Sequence, residues 1–141
     1  MPPKTKSALV PASKPLDEKI TINLGYVDLG QIDLLVQDGF YANRTDLIRT
    51  AIRNQLATHA EAVRQSVARR TLVLGIHHFS AADLAAVQAA GQTLQIRVLG
   101  LATIAPDVTP ELALATIDSV VVLGALHASP AVKAALAARI R

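Results

Sequence analysis

Residues 18–25 read Glu18-Lys19-Ile20-Thr21-Ile22-Asn23-Leu24-Gly25, and the segment alternates cleanly. Lys19, Thr21 and Asn23 fall on one side, and Ile20, Ile22 and Leu24 on the other. A period of two over six residues predicts one half-buried strand. Such a strand is unusual in its setting, because the two segments that follow carry helical periodicity and offer it no ladder partner. Taken alone, the outward set is an ordinary solvent-facing strand edge. A single strand must nevertheless find hydrogen-bond partners, and the simplest partner is the same strand of a second copy, paired antiparallel about a two-fold axis.

Leu29, Ile32, Leu35 and Val36 recur at helical spacing, with Asp28, Gln31, Asp33, Gln37 and Asp38 opposite, and Gly39 supplies a left-handed stop. A second helix opens at Asn43, a capping residue, with Asp46 three positions on to complete a reciprocal capping box. Leu47, Ile48, Ala51, Ile52 and Leu56 form its apolar stripe, and Ala60, Val63 and Val67 extend the pattern to about Arg69 as a connecting coil. Strand, helix and capped helix predict a dimer core of Ile20, Ile22, Leu24, Ile32, Leu47, Ile48 and Ile52. Lys19, Thr21 and Asn23 then project from both copies, and a two-stranded ribbon fits the DNA major groove, about 12 Å wide. The free amides at the start of the second helix suit a phosphate.

In this order the residues resemble the ribbon-helix-helix, Arc/CopG-like family of bacterial DNA-binding regulators. The resemblance rests on Lys19-Ile20-Thr21-Ile22-Asn23-Leu24 and on Gly39 through Arg49, and covers residues 18–57. It implies that Lys19, Thr21 and Asn23 read bases and that Asn43, Arg44 and Thr45 grip the phosphate backbone. Nickel-responsive members add a sensing domain with His and Cys ligands, a pattern this chain departs from.

Composition sets the bounds. The chain has 141 residues, is 51% hydrophobic and only 3% aromatic, and has no cysteine. Disulfide scaffolds, thiolate metal sites and a Cys nucleophile are thereby excluded. The net charge of +3 is uneven: residues 1–70 hold 10 Lys and Arg against 7 acids, whereas residues 71–141 hold 4 of each. The first sixteen residues, with four prolines and three lysines, read as a flexible basic arm, either a solubility tail or a phosphate-tracking segment. No apolar run reaches the roughly 20 residues of a membrane span, and no signal-peptide core is visible, so the expected location is cytoplasmic and nucleoid-associated.

The second half repeats. Val73-Leu74-Gly75, Val98-Leu99-Gly100 and Val122-Leu123-Gly124 recur at intervals of 25 and 24 residues. Each is followed by a helix-start signal: Ser80 with Asp83, Thr109-Pro110-Glu111, and Ser129-Pro130. Each unit reads as strand, glycine turn, loop and Ala-rich helix. Three such units predict a small parallel sheet or solenoid stub, with the runs 72–74 and 120–123 covered on both faces. The glycines suit close backbone approach better than a phosphate loop. His77, His78 and His127 do not form a persuasive metal site, no catalytic constellation is readable, and no cofactor is expected.

The predicted fold class is α+β: a basic arm over 1–17, a ribbon-helix-helix over 18–57, a helical connector over 58–70, and a β-α repeat domain over 71–141. The expected function is that of a homodimeric, sequence-specific DNA-binding transcriptional regulator. Double-stranded DNA and a second copy are its partners. The apolar repeats serve higher assembly or effector sensing, with any small-molecule effector unidentified. Alternatives are a plasmid partition or conjugation accessory protein, or an antitoxin.

Overall fold

A computed structural model describes residues 16–141; the basic arm lies almost wholly outside them. They fall into two compact units, one ending at Ala51 and one spanning Ile52–Arg141.

The first unit contains helix α1 (Tyr26–Gln37) and the opening of α2 (Arg44–Thr58). Helix α1 ends as the sequence predicts. Gly39 adopts φ +84°, its amide donates to the Val36 carbonyl, and the Phe40 amide donates to Leu35, which together form a Schellman motif. At the start of α2, Asn43 Oδ1 accepts from the Asp46 amide at 2.8 Å. The reciprocal half of the expected box is displaced by one residue: Asp46 accepts from the Ala42 amide at 2.9 Å, not from Asn43.

The predicted strand is absent. Residues 18–25 carry no strand, and no ladder bond reaches them from the described residues. A strand is defined by its neighbour, and none of the described residues supplies one.

The second unit begins within α2. The expected continuous helix breaks at His59, and α3 (Ala60–Arg70) follows. Thr71 then takes the left-handed conformation, φ +55°, and turns the chain into a three-stranded parallel sheet. Its strands are β1 (Val73–Phe79), β2 (Leu94–Ile104) and β3 (Ile117–His127), in spatial order β1-β2-β3. Helices α4 (Ala81–Ala89), α5 (Pro110–Thr116) and α6 (Pro130–Leu136) follow one strand each. All three start signals form their bonds. Ser80 and Asp83 make a full capping box, Thr109 accepts from Leu112, and Ser129 accepts from Val132.

The helices pack side by side on one face of the sheet. Beneath them Leu84, Ala113, Val132 and Leu136 meet Ile96, Val98, Ile104 and Val120 in the single core cluster found among the described residues. Burial of the Leu, Ile and Val side chains among these stabilises by about 1.5–3 kcal/mol each before entropy is counted. Contrary to expectation, the strands are not covered on both faces. Leu74, Ile76 and Leu123 are 69%, 61% and 45% exposed on the face away from the core, where α3 lies beside Leu99 and Leu123.

The glycines also differ from their expected role as turns. They sit inside the strands, in one rung: Gly75 pairs with Gly100 and Gly100 with Gly124. All three have positive φ, +128°, +139° and +120°. The expected close approach is present. A Cβ on Gly100 would lie 2.2 Å from the Gly75 carbonyl oxygen, and one on Gly124 would lie 2.0 Å from that of Gly100. Only glycine fits at positions 100 and 124.

Candidate nucleic-acid interface

Every buried hydrophobic among the described residues lies at or after Leu72; α1, α2 and α3 bury none. In the segment predicted to be a strand, Ile20, Ile22 and Leu24 are 73%, 57% and 37% exposed. Ile32, Leu47 and Ile48 reach only partial burial, and Ile52 remains exposed. The seven residues expected to form a dimer core thus stay incompletely covered in one copy. Tyr26, Val27, Leu34 and Phe40 add further exposed apolar surface to the first unit.

Lys19, Thr21 and Asn23 are exposed. Asn43, Arg44 and Thr45 are exposed at the N-terminus of α2, where helix geometry leaves the first amides without intrahelical partners. Asn43 is committed to the cap, so its side-chain oxygen serves the helix start. Arg44 is also engaged, a contact the sequence reading missed. Its guanidinium donates to both carboxylate oxygens of Asp33, at 2.7 and 2.8 Å, joining the start of α2 to α1. The hydrogen bonds from Arg44 hold the Asp33 carboxyl below its ordinary value. An acid on the polar face of α1 and a cation opening α2 were both visible in sequence, but their pairing across eleven residues was not.

In the second unit two arginines brace the backbone. Arg97 donates to the Arg70 carbonyl, pinning the end of α3 to β2, and Arg139 donates to the carbonyls of Leu114 and Ile117, at 2.6 and 2.7 Å. Hydrogen bonding to Ser80, first its backbone amide and then its side chain, holds the Asp83 carboxyl below its ordinary value. His78 and His127 both lie on the rung centred on Thr103. No helix among the described residues is long and apolar enough to cross a membrane.

Neither the curated proteins nor the solved structures compared with the chain give a match. A family model does, over residues 15–133. The match runs from the alternating segment through the cap of α2 and well beyond residue 57 into the repeats, so the β-α half shares in the family pattern. The chain belongs to the ribbon-helix-helix transcriptional regulator family.

Proposed function

We propose that the protein is a homodimeric, sequence-specific DNA-binding transcriptional regulator. Residues 18–24 of two copies pair as an antiparallel ribbon that enters the major groove. Lys19, Thr21 and Asn23 face the base edges, and the N-terminus of α2, at Asn43, Arg44 and Thr45, meets the phosphates. Because Arg44 is shared with Asp33, the amides of Arg44 and Thr45 are the stronger phosphate donors of this set, and the guanidinium chiefly fixes their position. The β-α unit assembles dimers or senses an effector, and the cytoplasm, at the nucleoid, is the place of action.

The observation that carries this reading is the uncovered apolar set of the first unit. Ile20, Ile22 and Leu24 alternate strictly yet are only partly covered by the described residues of one copy, and a second copy would provide both the ladder and the rest of the cover. A partition or conjugation accessory role would use the same ribbon. The folded parallel sheet over Val73–His127 favours a regulator or accessory protein over an antitoxin, whose toxin-binding tail is characteristically short and charged.

Thr21→Ala and Asn23→Ala test the assignment. Each is expected to weaken binding to the specific site by about 1–3 kcal/mol while leaving nonspecific DNA binding in place, as measured by titration against matched and scrambled duplexes. Equal losses on both duplexes would remove these side chains from base reading.

A further inference from the structure

The glycine rung has a vacant place. Gly100 and Gly124 each hold a positive φ because the carbonyl of the preceding strand's glycine occupies the position of a side chain. Gly75 holds the same conformation, φ +128°, yet nothing lies within 4 Å of its Cβ position. Strand β1 is an edge strand, and that position is where the carbonyl of a preceding strand would sit. The edge also lacks the usual protection. Residues 73–79, Val-Leu-Gly-Ile-His-His-Phe, contain no Lys, Arg, Asp, Glu or Pro.

At the opposite edge, β3 has a free stretch of matching length. β1 is shorter than β2, and its pairing begins only at Val73 with Val98, whose partner in β3 is Val122. Upstream of that point the β3 edge is already closed, because Ile140 bridges Val120 in parallel and the Arg141 amide donates to the Val120 carbonyl at 2.9 Å. From Val122 to His127 the β3 edge has no strand partner among the described residues. The segment left open on β3 is therefore the segment that β1 has the length to cover.

We infer that β1 of one copy pairs in parallel with β3 of another, in the register Val73 to Val122, Gly75 to Gly124 and Ile76 to Ala125, with the Gly124 carbonyl filling the place beside Gly75. This deepens the proposed assembly role of the β-α unit and rests on that part of the reading. The contact is head-to-tail, so it propagates: copies join into a ring if the rotation closes and into an open array if it does not. The occupant is a second copy because the internal rungs already show this pairing between strands of the same sequence pattern. Leu74 would meet Leu123 as it now meets Leu99, and Ile76 would meet Ala125.

Cross-linking in the full-length chain tests the register without interference from native thiols, since there is no cysteine. Within one copy β2 separates residues 76 and 125 by two strand spacings, about 9.6 Å, beyond the roughly 7 Å reach of a disulfide. Copies carrying Ile76→Cys mixed with copies carrying Ala125→Cys are expected to cross-link on mild oxidation, whereas neither variant does so alone. The double variant is expected to give a ladder of dimers, trimers and longer species. No cross-link in the mixture, or cross-linking of Ile76→Cys with itself, as in antiparallel β1–β1 pairing, overturns the inference. Light scattering of the unmodified chain covers the case in which a variant fails to fold: species larger than a dimer support the pairing, and a plain dimer at micromolar concentration overturns it. DNA binding by the same sample separates the two proposals. A plain dimer that binds its site removes only the edge pairing, and an assembled protein that ignores DNA removes only the regulator reading.

Discussion

Adding one carbon to Gly100 would bring it within 2.2 Å of the Gly75 carbonyl oxygen, a distance no relaxation of a flexible side chain can relieve, because the carbonyl is backbone and the Cβ position is fixed by the backbone that carries it. The φ of +139° adds strain of its own. Gly100→Ala is therefore expected to cost more than about 3 kcal/mol and to compromise folding of the sheet. Gly75→Ala meets open space in one copy and incurs only the backbone strain, about 1–3 kcal/mol. Urea denaturation at low protein concentration measures both, and equal losses would contradict the rung geometry. The Val-Leu-Gly repeat is plain in the sequence, and so is its suitability for close approach. A recurrence of letters does not disclose φ, however, so the glycines read as turns until the rung places them inside strands. Asn43 was more legible, since a capping residue acts on neighbours within one turn. The Asp46 partner moved by one position because a carboxylate reaches the Ala42 amide as readily as its neighbour.

Between elements, the Asp33–Arg44 pair is the one ion pair among the described residues that joins two helices. Both groups are solvent-exposed, so its value lies in fixing the angle between α1 and the start of α2 more than in raw stability. The sign of its pH dependence follows from the Asp33 shift. A folded value below the unfolded one contributes stability that is present above the unfolded value, near pH 4, and is lost as pH falls through the folded value. Asp33→Asn is expected to melt below the unmodified chain at pH 6, and the gap is expected to close as pH drops under about 4. A gap that persists at low pH would assign the effect to something other than the charge. The break at His59 shows why element boundaries were harder to read. Apolar residues at 56, 60, 63 and 67 keep helical spacing straight across it. Thr58, whose hydroxyl donates back to the Asn54 carbonyl, closes the last turn of α2 without disturbing that spacing. The alternation of residues 18–24 was equally plain, but a strand's partner is not written in its own residues.

At the scale of the whole molecule, burial is divided as sharply as charge. Among the described residues, the β-α unit holds every buried hydrophobic and the unit ending at Ala51 holds none. Folding of that first unit should therefore be linked to association, and its stability should depend on protein concentration. The chain has a built-in reporter: there is no tryptophan, and its two tyrosines, Tyr26 and Tyr41, both lie in the first unit. The melting transition followed by tyrosine signal is expected to fall by several degrees on hundredfold dilution. A midpoint independent of concentration would mean that the unit is stable without a second copy.

The rung of glycines also bears on size. Each β-α unit meets its neighbour through the same pairing, rung by rung, and among the described residues no strand closes the sheet and so requires a fixed number of units. The number three is thus not imposed by the geometry. A unit gained by duplication would inherit correct neighbours on both sides at once, so the length of this half can change in whole repeats without the redesign that a closed core would demand.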